Sequence, residues 1–298
     1  MTNFYGGAML VESAFAKINL FLDVLSKRDD GFHNIRSVMC SVSLCDTLTL
    51  TVFDSDHIDI RLRISGSDLP MDSSNLVYRA AEIYLRRACL AAALDITLDK
   101  RIPVEAGLGG GSSDAAATLR ALNRYFSAFD EEGLNALALE LGSDVPFCLT
   151  GGVALCEGRG ELITKIPDCK KMYFAIAIGN DRVSTPEAYR TLDEYFSDFD
   201  GSKASGGEVR FRSFCMEYTS NGLSGASLYN IFEETVENVT NSVAEIKNEL
   251  FKLGAAASLM SGSGPSAFGI FHSSHEARAA VAALSDLGYR AFYAESVM

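Results

Sequence analysis

The stretch "RIPVEAGLGGGSSDAAATLRALN", Arg101–Asn123, decides how the rest of the chain is read. A run of glycines leads into two serines and an aspartate, and strong helix formers follow. Glycines at the mouth of a helix suit an anion. Without Cβ atoms, successive backbone N–H groups converge into a concave nest, and the first N–H groups of the helix and its dipole favour the same charge. Neither familiar phosphate pattern is met. No lysine follows the glycines, as G-x-x-x-x-G-K-[ST] requires, and Ser112 stands where G-x-G-x-x-G needs its last glycine. Ser112, Ser113 and Asp114 are expected at the helix N-terminus, with Ala115, Leu119 and Leu122 as its packed face. The competing reading is a flexible Gly/Ser linker, but a linker has no reason to run from a strand into an alanine-rich helix.

Upstream, "LDITLDK" is a strand feeding this segment, and "IDIRLRI" and "LTLTVF" alternate with period two, as half-buried strands do. "DSSNLVYRAAEIYLRRA" opens with capping residues and places Val77, Ala80, Ala81, Tyr84 and Leu85 on one helical face. Downstream, "EEGLNALALELG" aligns Leu134, Leu137, Ala138 and Leu141 and stops at Gly142. "GGVALCEGRGELITKIP" reads as a hairpin and "KKMYFAIAIGN" as a buried strand that begins a second unit, with a seam near residue 165. Residues 197 to 225, rich in Ser, Gly and charge, read as a long excursion. Val239, Val243, Ile246, Leu250 and Leu253 mark a further helix, followed by the glycine turn in "SLMSGSGPSAFGIFH", a helix over 275–287 and a last strand, "YRAFYAE". The fold class is α+β, in two domains, 1–165 and 166–298.

The bulk numbers bound the function. The 298 residues are 48% hydrophobic and 22% charged, a globular profile. A formal charge of −13 argues against a broad nucleic-acid surface. The first residues lack the charged and apolar regions of a secretory signal, and no run reaches the roughly 20 apolar residues of a membrane span. The seven cysteines are scattered without a CxxC pair, which predicts buried free thiols in a reducing cytosol and no zinc site. A cytoplasmic protein, a monomer or weak homodimer with no membrane or nucleic-acid partner, is the expectation.

Lys17 lies in an otherwise apolar strand, "AFAKINLFL", where alternation puts it on the same face as Asn19. A lone strand lysine is usually a solvated edge residue. Asp144 in "LGSDVPF" sits between a helix end and a stiff Val-Pro, where a turn or capping role is the ordinary reading. "GLGGGSSDAA", together with "AKINL", "DGFH", "SDVPF" and "MSGSGPSAFGIF", resembles the GHMP kinase superfamily, and within it most resembles the 4-diphosphocytidyl-2-C-methyl-D-erythritol kinase family. The motifs recur in order over nearly the whole chain.

The resemblance implies a ribosomal-S5-like first domain and a ferredoxin-like second domain. It also implies ATP-dependent phosphorylation of the 2-hydroxyl of a cytidylyl methylerythritol substrate, in the non-mevalonate isoprenoid precursor pathway. It makes Asp144 the base and Lys17 its cationic partner, since a nearby cation favours a carboxylate. Asn19 would bond the substrate. It puts the nucleotide near Asn75, Pro103, Val104, Gly107, Leu108, Gly109, Gly110, Gly111, Ser112 and Ser113, with Mg²⁺ bridging the ATP phosphates. The serine hydroxyls would help hold the phosphates or the ion, and no carboxylate cage for the metal is visible. By the same resemblance Phe32 stacks on the cytosine, His33 bonds the base edge, Thr185 lies near the substrate and Tyr189 is the opposing ring. Read by spacing alone, Phe32 is core, His33 a loop residue and Tyr189 a helix-face tyrosine. Phe32 stands where the family usually has tyrosine, and Glu105 where it usually has a small residue. Other GHMP activities, on homoserine or mevalonate, and a non-catalytic ligand sensor on the same fold are the alternatives.

Overall fold

The computed structural model describes residues 7–167, 169–180, 184–197, 204–220, 227–236 and 241–298. It forms two compact units: Met1–Ala16, Cys45–Val104 and Gly109–Thr150 make unit 1, and Lys17–Leu44, Glu105–Leu108 and Gly151–Met298 make unit 2. The units interleave along the chain, whereas the sequence reading placed one seam near residue 165. Two long strands are the reason: β1 (Ala8–Lys27) and β2 (His33–Asp54) each contribute residues to both units.

Unit 1 continues through β3 (Asp59–Ser65), α1 (Leu76–Arg87), β4 (Ala92–Asp99), α2 (Gly110–Phe126), α3 (Glu131–Leu141) and α4 (Val145–Thr150). β3 pairs in parallel with β4, from Asp59↔Ala93 to Ser65↔Asp99. Parallel neighbours need a crossover, and α1 supplies it. β2 runs antiparallel to β4, from Thr47↔Asp99 to Asp54↔Ala92. The strict alternation sends Leu48, Leu50 and Val52 inward beside Leu94, Ile96 and Leu98, which pins the register, since a one-residue slip would expose all of them. α1 and α3 bury the residues that their spacing predicts. α2 goes further: besides Ala115, Leu119 and Leu122 it buries Ala116, Ala117, Thr118 and Ala121, because α1, α3 and α4 all pack on it. Small residues permit that approach, and each buried leucine contributes about 1.5–3 kcal/mol.

In unit 2, β5 (Val153–Gly158) lies antiparallel to the first half of β2, from Ile35↔Gly158 to Cys40↔Val153, and β6 (Leu162–Lys165) completes the expected hairpin. Next come β7 (Tyr173–Ile178), α5 (Thr185–Ser197), α6 (Ala204–Ser220), β8 (Tyr229–Asn230), α7 (Ile231–Val236), α8 (Asn241–Lys252), β9 (Ala257–Met260), β10 (Ser266–Phe271), α9 (Ser274–Asp286) and β11 (Arg290–Glu295). β11, β7, β10 and β9 form, in that order, an antiparallel sheet that carries α8 and α9. This is the expected ferredoxin-like half, β-α-β-β-α-β.

Two expectations change. The excursion over 197–225 contains the helix α6; its positions 198–203 and 221–226, like Val239, lie outside the described residues. The glycines and serines at its start hid the helical spacing of Phe211, Phe214 and Tyr218, of which Phe211 and Phe214 pack on Phe21 with ring centroids 5.4 and 5.8 Å away. The cysteines are free, as expected, yet only Cys40 and Cys156 are buried while Cys89 and Cys215 are exposed. No helix among the described residues is long and apolar enough to cross a membrane.

Candidate functional site

In unit 1 the glycine segment opens a helix, as its composition predicts, two residues earlier than expected. α2 begins at Gly110, and Gly109 caps it in the left-handed conformation, φ 67°, with no side-chain cap. The N–H groups of Gly110, Gly111 and Ser112 lie in the first turn, where the helix supplies no acceptor. Ser112 is half-buried and Gly111 exposed, so this end is open to a ligand. Ser113 is not: its hydroxyl donates to the carbonyls of Phe15 (2.6 Å) and Gly109 (2.8 Å), and the residue is 1% exposed. Of the two serines at the helix start, Ser112 is the more exposed.

Beneath the helix start lies a buried ion trio that the sequence reading missed. Lys100 Nζ donates to Asp46 Oδ2 (2.5 Å) and Asp114 Oδ2 (2.7 Å), with all three side chains almost fully enclosed. Asp46 Oδ1 also accepts the N–H groups of Arg101 and Ile102. Two carboxylates thus share one ammonium, and Asp114 Oδ1 has no hydrogen-bond partner among the described residues. Burial pushes the Asp114 carboxyl up to about 7, against the pull of Lys100 and with the push of Asp46. The trio ties β2, the loop that follows β4 and α2 together. Its only sequence signal was that Asp46 and Lys100 fall on the inward parity of their strands, in line with Leu48 and Leu98, and Asp114 among buried helix residues.

Two other unit 1 residues take structural positions. Asn75 caps α1, accepting from the Val77 N–H at 2.9 Å and donating to the Pro70 carbonyl at 2.8 Å. Asp144 immediately precedes α4; its carbonyl accepts the Cys148 N–H at 3.0 Å. Pro146 is tolerated there because the first helical turn needs no N–H from it, and buried Val145 and Phe147 anchor the turn. Pro103 is buried and Val104 is 47% exposed.

In unit 2, Lys17 is 5% exposed. Its Nζ donates to Asn19 Oδ1 at 2.9 Å, as a shared strand face predicts. Asn19 Oδ1 also accepts the Gly262 N–H (3.1 Å), while its Nδ2 donates to Ser37 Oγ (2.8 Å), which donates onward to the Phe21 carbonyl (2.8 Å). The amide is therefore oriented by its partners, and it holds the ammonium in place. The turn after β9 supplies Gly262, and that turn also docks the lead-in of the glycine segment. Ser261 Oγ donates to the Gly107 carbonyl at 3.0 Å, and Lys17 N–H donates to the Leu108 carbonyl at 2.9 Å. Gly107 has φ 72°, and a Cβ there would collide with the Ser261 carbonyl, so both conformation and space demand glycine.

A second cluster in unit 2 gathers the expected base-binding residues. Gly31, φ 84°, turns the chain between β1 and β2. Phe32 is 46% exposed, and the Arg159 guanidinium sits 3.8 Å from its ring centroid. His33 stacks on Tyr189 of α5, centroids 4.7 Å apart at 27°, and Tyr189 meets Phe232 edge-on at 4.9 Å. His33 Nε2 lies 2.7 Å from Asp193 Oδ1, and Lys27 Nζ lies 2.5 Å from Asp193 Oδ2. Although burial opposes it, hydrogen bonds from Lys27 and His33 hold the Asp193 carboxyl below its usual range. Thr185 begins α5 with its hydroxyl 3.2 Å from that of Ser263.

The sequence matches the family models "GHMP kinases N terminal domain" over residues 75–152 and "GHMP kinases C terminal" over 219–290. The 4-diphosphocytidyl-2-C-methyl-D-erythritol kinase of Deinococcus radiodurans is 41% identical over 272 residues, 91% of this chain and 87% of that one. Its counterpart from Bacillus subtilis is 40% identical, covering 88% of each chain. The chain belongs to the GHMP kinases, in the 4-diphosphocytidyl-2-C-methyl-D-erythritol kinase family. A crystal structure of 4-(cytidine 5'-diphospho)-2C-methyl-D-erythritol kinase superposes with a TM-score of 0.78 at 32% identity, over 97% of this chain and all of that one. A homoserine kinase from Cytophaga hutchinsonii, at TM-score 0.77 and 22% identity over 100% of this chain and 96% of that one, shares the fold.

For a GHMP kinase, the placement of the predicted residues is instructive. Gly109 to Ser112 form the open helix end, Lys17 and Asn19 form one hydrogen-bonded pair, and His33 and Tyr189 form one stack. Asn75, Asn19 and Ser113 use their polar groups within the protein, as cap, orienter and tether. Lys100, Asp46, Ser37, Arg159 and Asp193 were absent from the sequence reading, and each acts through a partner distant in sequence.

Proposed function

We propose that this GHMP kinase transfers the γ-phosphoryl group of ATP to the 2-hydroxyl of 4-diphosphocytidyl-2-C-methyl-D-erythritol, in the cytosol, as a step toward isoprenoid precursors. The observation that carries the reading is the open end of α2. Three first-turn N–H groups and the positive end of the dipole meet there, with Gly109 leaving no side chain in the way. The open, cap-free end suits the ATP phosphates, and Ser112 adds a hydroxyl. The reading keeps two family domains, 1–165 and 166–298, whose seam lies in the stretch between the two family-model matches.

Phosphoryl transfer asks the protein for position, charge stabilisation and a place for the hydroxyl proton. Asp144, fixed at the start of α4, takes that proton from the substrate hydroxyl. A loose transition state lets the proton leave late, so an ordinary carboxylate suffices. Lys17, buried and aimed by Asn19, supplies the cation that orients the hydroxyl and offsets the developing negative charge. Mg²⁺ would arrive on the ATP phosphates, and the Ser112 hydroxyl would help hold the phosphates or the ion. The ion neutralises phosphate charge when bound. Phe32, His33 and Tyr189 hold the cytosine, and Thr185 lies beside the substrate.

The test is ATP consumption with the cytidylyl methylerythritol, homoserine and mevalonate offered separately. Turnover of the first alone supports the reading, turnover of homoserine alone overturns it, and nucleotide binding without any turnover supports a sensor. Asp144→Asn should lower kcat by about 10²–10⁴-fold while ATP binding, read by calorimetry, is kept. Near-normal turnover in that variant would remove Asp144 from the mechanism.

A further inference from the structure

The arrangement around His33 contains a group whose role the base-binding reading leaves open. A carboxylate can only accept, so the 2.7 Å contact to Asp193 Oδ1 requires a hydrogen on His33 Nε2. In a neutral ring, that leaves a lone pair on Nδ1. Nδ1 has no hydrogen-bond partner among the described residues. The ring cannot turn to exchange its nitrogens cheaply: its side chain is 9% exposed, it stacks on Tyr189, and Lys27 holds the other oxygen of Asp193. Tyr189 and Asp193 stand four residues apart on α5, on one helical face. The same face therefore supplies the plane against which His33 rests and the charge that sets its hydrogen.

We propose that Asp193 is a positioning residue that makes His33 Nδ1 a hydrogen-bond acceptor, and so selects cytosine over uracil. This rests on the proposed function, which brings a pyrimidine to His33. The two bases differ at two adjacent edge positions: at position 4 cytosine carries an amino group, a donor, where uracil has a carbonyl oxygen, which only accepts, and at N3 cytosine accepts where uracil donates. An acceptor on Nδ1 pairs with the amino group and faces the carbonyl lone pair to lone pair. A site built for one partner leaves its polar group unpaired with the other, which is where discrimination comes from.

The experiment compares the wild-type chain with Asp193→Ala and Asp193→Asn, using the cytidylyl substrate and its uridylyl analogue, together with ¹⁵N spectra of the histidine rings. The wild type should show the neutral Nε2–H tautomer for His33 and prefer the cytidylyl substrate. In Asp193→Ala that preference should fall by about 10-fold or more, through KM, while kcat and the KM for ATP stay within twofold. Asp193→Asn can donate to Nε2 through its amide, and any gain toward the uridylyl analogue should track the appearance of the Nδ1–H tautomer. Three results would overturn the proposal: an active Asp193→Ala whose preference changes less than twofold, a His33 signal unaltered by the substitution, or a wild-type ring that carries its hydrogen on Nδ1. These leave the proposed function standing. A wild type inactive on the cytidylyl substrate removes both.

Discussion

The open end of α2 and the His33 cluster are both expected to touch substrate, but they are built in opposite ways. The first offers backbone. Its glycines present N–H groups, and its side chains, Ser113 and Asp114, turn inward to a carbonyl tether and a buried ion trio. The second offers side chains, stacked and hydrogen-bonded to one another along α5 and the start of β2. A backbone site draws its shape from the stability of the surrounding core, whereas a side-chain site draws it from local partners. Substitutions near the first should therefore move stability together with function, and substitutions in the second should move affinity alone.

The largest effect is expected at Lys100. Lys100→Met strands Asp46 and Asp114 in the interior and should destabilise unit 1 by about 3–5 kcal/mol, read as a lowered denaturant midpoint. If the midpoint hardly moved, the backbone site would not depend on the trio. Next is Gly107→Ala, where a positive φ and a collision with the Ser261 carbonyl should cost about 1–3 kcal/mol and raise the KM for ATP in a thermally checked sample. Tyr189→Ala should leave the midpoint within about 1 kcal/mol but raise the KM for the cytidylyl substrate roughly 5- to 150-fold, the equivalent of one lost base stack. Equal loss of ATP affinity would erase the contrast between the two regions.

The smallest effect is a slope. Asp114 titrates near 7 when folded, above its ordinary value of 3.8. Between those values the folded state binds the extra proton, so this group makes stability fall as pH rises through that window. Asp114→Asn should flatten the stability profile between about pH 4 and 7. A steeper profile in the variant would reverse the sign assigned to burial.

What was legible in the sequence follows the same division. Period-two and helical spacing located β3, β4, α1 and α3 because each is read from neighbours within a few residues. The open end of α2 was legible because glycine runs have a local conformational meaning. The shared face of Lys17 and Asn19 followed from strand alternation. By contrast, Lys100, Asp46 and Asp114 are joined across 54 and 14 positions, and His33 and Asp193 across 160. No local pattern announces such pairs. Asn75 and Ser113, expected near the nucleotide, also serve as a helix cap and a tether, tasks the sequence did not announce because short polar residues at a helix start suit either. α6 was missed because its weak helix formers gain their order from Phe21, Arg36 and Tyr229, which lie elsewhere in the chain.

The division of β1 and β2 between the two units also has a consequence during synthesis. Residues 35–40 of β2 take their partners from β5, at 153–158. At about 5–20 residues per second, ribosomal synthesis leaves that edge without its partner for roughly 6–24 s after it is made. Unit 1 has all its segments once Thr150 is made, while Lys17–Leu44 must await everything that follows. An apolar strand held open that long is a site for chaperones and for unwanted pairing with another nascent copy. Yield in a cell should therefore respond to translation speed across residues 41–158 more than to speed across the codons after 158, since only the former lengthens the wait of that edge for β5.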